Sequence, residues 1–289
     1  MKWLREKTGT LFSKTLFGML AISLTVLVVT AGGLFVWFRT EMVRGYYELT
    51  GAVMGNTDAV FSRNLSDARE LLMEWYASAD GVSLRLDSDT DALDHMSFIN
   101  RVQETLRGSS WLQSVCFINR ERQMALNMGS NVSYPENLER ILVDKIAQED
   151  SRNEPFAWKV KSYQSDQERI PLLTMPMAEA PVGNENFAGM TVVNIDLAQL
   201  NKGLFSDEQE EQFRIYIFNA DGMVVGSSSR EELGEDWSGK EWVHRVLEGE
   251  ERFEMKEDGK HWETLAAPMQ YQGFWIAAQP DYVTQIMNI

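Results

Sequence analysis

Cys116-Phe-Ile-Asn119 is followed by polar Arg120-Glu-Arg122 and the run Met124-Ala-Leu-Asn127, and further on Tyr216-Ile-Phe-Asn219 is followed by Ala-Asp221-Gly222 and Met223-Val-Val225. Both stretches read as strand–turn–strand, the second with the stronger turn signal because Asp-Gly supplies the positive φ that tight hairpins need. A helix-start pattern follows each hairpin. Ser133-Tyr-Pro135-Glu136 precedes Leu138, Ile141, Leu142 and Ile146, and Ser238-Gly-Lys-Glu241 precedes Trp242, Val246 and Leu247, with Gly249 as the stop. Ser followed three residues later by Glu is the capping-box signature. Three strand-like runs then close each half: near Phe156–Val160, Pro171–Met177 and Phe187–Asp196 in the first, and Arg252–Lys256, Trp262–Met269 and Gly273–Ala278 in the second. The spacing Leu173–Pro176 repeats as Leu265–Pro268. The common order predicts a duplication: two α+β modules of about 90–110 residues, each an antiparallel sheet with flanking helices. Asp196-Leu-Ala-Gln199 reads as a capped short helix between them.

Upstream, residues 40–79 contain no proline, and Val43, Tyr46, Tyr47, Val53, Val60, Leu65, Leu71, Leu72 and Trp75 recur at intervals near three and four. This predicts a long stalk helix over 39–80; Gly51 and Gly55 leave two shorter helices as the alternative. The apolar stripe suits contact with a second stalk in a homodimer, or packing on the chain's own modules. Before the stalk, Thr15 to Phe38 is a run of 24 residues without a charge. About 20 apolar residues cross a bilayer, whereas the apolar region of a signal peptide is about 7–15. An uncleaved anchor is the better reading; Thr30-Ala31-Gly32 keeps cleavage open.

The 289 residues carry 27 Lys+Arg and 43 Asp+Glu, a formal charge of −16. Residues 1–44 hold +4 of this and the remainder −20. Positive charge ahead of the apolar run retains residues 1–14 in the cytoplasm and places 39–289 outside it. The acidic exterior disfavours nucleic acid and anionic lipid surfaces as partners. The single cysteine, Cys116, rules out an intrachain disulfide framework; an exterior domain without disulfides fits a bacterial protein. No nucleophile-elbow, P-loop or zinc-protease motif occurs, so no catalytic activity and no cofactor are expected. Asp87-Ser-Asp89-Thr-Asp91 resembles a calcium loop, but Ala92 and Phe98 stand where Gly and Glu are required. The better reading is a helix capped at Asp91, with Leu93, Met96, Ile99, Val102 and Leu106 on one face and Gly108 at its end. His95, His244 and His261 fall in separate elements and supply no zinc set.

The apolar span, the stalk, Phe187-Ala-Gly189-Met-Thr-Val-Val-Asn-Ile-Asp196-Leu, Ile217-Phe-Asn-Ala-Asp221-Gly-Met-Val-Val225-Gly and Gly273-Phe-Trp-Ile together resemble the double Cache domain. This is the tandem PAS-like extracytoplasmic sensor of bacterial histidine kinases, chemoreceptors and related regulators. The resemblance implies a membrane-distal module over 81–200, a membrane-proximal one over 201–289, and a second span and an effector beyond Ile289. A complete membrane-anchored binding or adaptor protein is the alternative. It further implies a small-molecule pocket in the distal module, with Phe117, Trp158, Tyr163, Thr174, Asn194 and Asp196 as candidate lining residues. Core packing competes for the aromatics, and helix capping competes for Asp196. Amino-acid-binding members carry an Arg-x-Trp-Tyr cluster; here Ala157 and Lys159 flank Trp158. A sugar or another small organic solute, rather than an amino acid, is therefore the first expectation.

Overall fold

The computed structural model describes residues 2–86, 95–121, 124–129, 158–164, 169–179, 185–205, 213–257 and 259–280. It opens with helix α1, Lys2–Ala77, unbroken at Gly51 and Gly55, so the two-helix alternative does not hold. The chain divides into two compact units, 1–52 and 53–289. In the first unit, α1 is long and apolar enough to cross a membrane by length and composition. It exposes Phe17, Leu20, Leu24, Leu27, Leu34 and Phe38, a surface that lipid would cover. The Thr25 and Thr40 hydroxyls donate back to the carbonyls of Ala21 and Val36 at 2.8 Å, which satisfies them without water.

The second unit begins with the rest of α1. Met54, Phe61, Leu65, Ala68, Leu72 and Trp75 are buried at helical spacing. From Met54 onward the stripe is thus buried within the chain, which is the second of the two roles expected for it, whereas Val43, Tyr46 and Tyr47 are only half-buried. Ser78 breaks the helix: its hydroxyl donates to the Trp75 carbonyl at 2.8 Å and accepts from Gly81 N–H at 3.0 Å. Helix α2, Ala79–Leu86, follows, and then α3, Met96–Gly108. The expected cap at Asp91 lies outside the described residues. The buried face of α3 is Phe98, Ile99, Val102 and Leu106, whereas Met96 is 45% exposed. Phe98 therefore takes the place expected for Met96, while Ile99, Val102 and Leu106 are buried as expected.

Strands β1 (Leu112–Ile118), β2 (Met124–Gly129), β3 (Lys159–Gln164), β4 (Arg169–Ala178) and β5 (Met190–Asp196) form the first sheet. The third strand lies C-terminal to the expected Phe156–Val160. After helix α4, Leu197–Leu204, strands β6 (Phe213–Asn219), β7 (Val224–Ser227), β8 (Arg252–Glu257), β9 (Lys260–Pro268) and β10 (Phe274–Pro280) form the second. The sheets run β2-β1-β5-β4-β3 and β7-β6-β10-β9-β8, the same order twice. All described pairings are antiparallel. The duplicated α+β architecture is therefore real. The repeated prolines have a cause in it. β3 pairs with β4 only as far as Thr174, and β8 with β9 only as far as Leu265, so Pro176 and Pro268 lie where no strand needs their missing N–H.

Two contacts fix the junction of the modules. Asp196 caps α4, its Oδ1 accepting from Ala198 N–H at 2.8 Å and Gln199 N–H at 3.1 Å. From the same helix, buried Asn201 donates to the Ser227 carbonyl at 2.7 Å and accepts from Ser227 N–H at 2.9 Å, docking α4 on β7 as a strand would. Asn201→Ala leaves both backbone groups buried and unpaired, so a loss of about 2–3 kcal/mol is expected, read as a fall in the midpoint of thermal unfolding. A change under about 0.5 kcal/mol, the usual surface range, would show that water replaces the amide.

In the second module, helix α5, Glu241–Leu247, lies against a core of Tyr216, Phe218, Trp237, Trp242, Val243, Val246, Phe253, Ala266 and Ala277. Gly249 ends it with φ +86°. The capping box does not form. The residue before α5 is Lys240, and Ser238 N–H instead donates to Asp236 Oδ1 at 2.9 Å, which turns the chain once more before the helix begins. The matching Ser133 helix lies outside the described residues.

Candidate functional site

At one level of the first sheet the register sets Gly129, Ser114, Asn194, Thr174 and Lys159 side by side, one residue from each strand. The middle three are buried, with Asn194 fully enclosed. Thr174 Oγ1 donates to Asn194 Oδ1 at 2.8 Å, and Asn194 Nδ2 donates to Ser114 Oγ at 3.0 Å. A hydroxyl–amide–hydroxyl chain thus crosses three adjacent strands. Buried polar groups weaken a core unless paired, and apolar residues of similar volume pack there at lower cost.

The duplication supplies an internal comparison. Aligning Pro176 with Pro268 and following the pairings outward sets Thr174 against Ala266, Asn194 against Ala277 and Ser114 against Tyr216. In the second module this row is apolar and filled. The Tyr216 ring centroid lies 5.1 Å from Trp237 and 5.6 Å from Trp242, and those two rings lie 5.9 Å apart. Among the described residues, one module closes the level with aromatic rings, and the other carries hydrogen-bonding groups there.

The other candidates are placed differently. Asp196 is two residues along β5 from Asn194, on the same face, with its Oδ1 engaged in the α4 cap. Phe117, three residues from Ser114, points to the opposite face, where its ring meets Phe98 edge-on at 5.7 Å beneath α3. Trp158 directly precedes β3, is 7% exposed, and donates its indole N–H to the Tyr271 hydroxyl at 3.0 Å, in the second module. Tyr163 pairs through its backbone with Ile170, and its side chain lies outside the described residues. The structure therefore joins Thr174 and Asn194, adds Ser114, and sets Phe117 and Trp158 against other partners. Ser114 was missed because the polar pair Gln113-Ser114 masks the first turn of alternation in β1, which begins at Leu112. Cys116, expected to be buried, is so, and its thiol donates to Asn127 Oδ1 at 3.0 Å.

Elsewhere the second module carries a surface groove of about 480 Å³ lined by Lys240, Trp242, Arg245 and Lys256 among others. Two of its cations are engaged: Lys240 lies 3.4 Å over the Trp237 ring, and Arg245 donates twice to Glu250 at 2.7 Å. That pairing holds the Glu250 carboxyl below the usual carboxylate range. Nearby, burial pushes the Glu232 carboxyl up, against the hydrogen bond it accepts from Ser227 Oγ at 2.6 Å.

No family model matches the chain, and no curated protein matches it. Solved structures do. The extracellular domain of a protein described as a histidine kinase, mmHK1S-Z2, superposes with a TM-score of 0.54 over 81% of this chain and 96% of its own, at 12% identity. That of another, vpHK1S-Z8, gives 0.51 over 80% and 93%, at 14% identity. The fold is that of the double Cache sensor domains. At such identities the likeness is one of fold. Also matched are the ligand-binding domain of the Campylobacter jejuni chemoreceptor Tlp3 in complex with L-valine and that of the Pseudomonas aeruginosa PAO1 chemoreceptor PctC in complex with GABA. Each is 12% identical, with TM-scores of 0.45 and 0.44, covering 82% and 81% of this chain and 92% and 97% of theirs. The expectation that placed amino acids behind sugars is corrected on this finding, since matched domains do bind amino acids.

Proposed function

We propose that this chain is the ligand-sensing part of a membrane-anchored signal-transduction receptor, held by the apolar segment of α1, with residues 39–289 outside the cytoplasm. The first module binds a small organic solute at the Ser114–Asn194–Thr174 row, and binding alters how α1 is held. The observation that carries this reading is the contrast between duplicates: a buried polar row in one sheet where the other has packed aromatics. Such a row fixes the orientation of a ligand that offers its own donors and acceptors. A ligand shifts the receptor only insofar as it binds one arrangement better than the other.

The test is a thermal-shift screen of the full chain in detergent or nanodiscs against amino acids, sugars, organic acids and amines on equal footing. A ligand present at 100 times its Kd stabilises by about 2.7 kcal/mol, a readily measured rise in Tm. Thr174→Val keeps the side-chain shape and removes the hydroxyl, and it is expected to weaken binding about 10-fold, the effect of one lost hydrogen bond at a buried site. A hit whose affinity is the same in Thr174→Val and Ser114→Ala moves the site away from this row.

A further inference from the structure

Trp158 and Tyr271 are separated by 113 positions in the sequence and belong to different modules, yet their side chains share a hydrogen bond of 3.0 Å. Tyr271 sits in the turn between β9 and β10, and that turn is bound from its other side by α1. Gln270 N–H donates to both carboxylate oxygens of Asp58, at 3.1 and 3.2 Å, and Tyr271 N–H donates to Ser62 Oγ at 3.0 Å. Ser62 in turn donates to Asp58 Oδ1 at 2.8 Å, which ties the two helix side chains together. Below the turn, Tyr271 meets Phe274 edge-on at 6.0 Å, and Phe274 meets Phe61 of α1 at 5.2 Å. One short turn therefore holds three parties: the entry to β3, the second sheet and the helix.

We infer that Tyr271 is a positioning residue for Trp158, and that the pair ties the β3 side of the polar row to the seating of α1. An indole N–H donates in a single direction, so the phenolic oxygen that accepts it fixes the ring about its long axis. Trp158 immediately precedes Lys159, which stands in register with Thr174 at the end of the row. An arrangement of β3 that draws Trp158 away breaks its bond to Tyr271. The same ring and backbone carry the contacts to Phe274 and Ser62, so the turn loses one of its two anchors. Coupling of this kind is reciprocal: a factor gained in one contact is the same factor gained in the other. The link itself stands on geometry; that it carries a ligand signal rests on the function proposed above.

The experiment needs no ligand, so its failure is separate from that of the functional reading. The full chain is labelled with 15N at tryptophan in nanodiscs, and the indole resonance lost in Trp158→Phe identifies Trp158. In Tyr271→Phe, which keeps the ring and removes the acceptor, that resonance is expected to shift and its proton to exchange with solvent faster. Hydrogen exchange at the Gln270 and Tyr271 amides is expected to rise several-fold in each single variant and no further in the double variant, as for two halves of one contact. An indole resonance unmoved by Tyr271→Phe, or turn amides unchanged by Trp158→Phe, overturns the link. Additive effects in the double variant overturn it as well.

Discussion

Gly189→Ala is expected to destabilise the protein by about 3 kcal/mol or more, lowering Tm by roughly 6–12 °C for a folded unit of this size. Two independent costs meet at this residue. Its φ of +87° is a conformation that a Cβ disfavours. A Cβ there would also lie 2.7 Å from Arg85 Cβ, 2.7 Å from the Ile118 carbonyl oxygen and 3.0 Å from the Arg85 carbonyl oxygen. Two of these atoms belong to backbone that is itself committed. The Arg85 carbonyl accepts from Arg120 N–H at 2.9 Å, and Ile118 ends β1 in register with Met190. Relief therefore requires α2 to move off the sheet. Arg85 makes that costly, because its buried guanidinium donates to the Gly81 and Tyr76 carbonyls at 3.1 and 2.8 Å and lies 3.4 Å over the Tyr76 ring. Burial in the same joint pushes the Tyr76 phenol above its ordinary pKa. Gly249 separates the two costs. Its φ is +86° but nothing lies within 4 Å of an added Cβ, so Gly249→Ala is expected to cost only about 1–2 kcal/mol, the conformational part. Equal losses in the two variants, measured by thermal unfolding of the full chain, would remove the packing argument.

What could be read from the sequence follows from how local each signal is. Strand–turn–strand followed by three strands is a pattern of alternation and turn chemistry, and it survives in both halves because each residue's role is set within a few neighbours. Gly222 illustrates this: it turns with φ +77° while Asn219 Oδ1 accepts from Asp221 N–H and Met223 N–H at 3.1 and 2.9 Å, all within five residues. The Ser238 box failed for the opposite reason. Its spacing was correct, but Asp236 was the stronger local partner for the Ser238 amide, and the spacing rule contains no term for that competition. The stalk's period was legible throughout and its phase in part. Leu65, Leu72 and Trp75 are in the deep stripe as read, whereas Val53, Val60 and Leu71 are only half-buried and the stripe takes Met54 and Phe61 in place of the first two.

The site was legible in part. Thr174 and Asn194 lie on strands already read, but their partner Ser114 is found only through pairing across β1 and β5, 80 residues apart. Trp158 was read as a candidate lining residue with core packing as the competing role; its N–H reaches the other module, a contact that leaves no periodic trace in the chain. The ranking against amino acids rested on one absent cluster around Trp158. The absence of one particular set of donors around Trp158 does not bear on polar groups carried by three strands elsewhere, such as Ser114, Asn194 and Thr174.

Phe61→Ala should produce a loss comparable to that at Gly189, about 3–5 kcal/mol, the range for removing a large buried ring. Phe61 is fully enclosed and meets the Phe274 ring edge-on, at 68° between planes and 5.2 Å between centroids. Its neighbours on the same face are Leu65 and Ala68, both fully buried, so a helix held by hydrogen bonds on either side of the gap cannot collapse into it without breaking them. Those bonds are the ones that the Gln270 and Tyr271 N–H groups of the turn donate to Asp58 and Ser62. The substitution therefore sets two observables against each other. If α1 stays seated, the cavity remains, stability falls by the full amount, and exchange at the turn amides changes little. If α1 moves inward, stability falls less, and exchange at Gln270 and Tyr271 rises several-fold. Val60→Ala, one position off the stripe and half-buried, should cost about 1 kcal/mol or less and leave the turn unchanged. A Phe61→Ala variant that loses no more than Val60→Ala would mean that α1 is not held by this ring pair, and the seating of the helix on the second sheet would have to rest on the polar contacts alone.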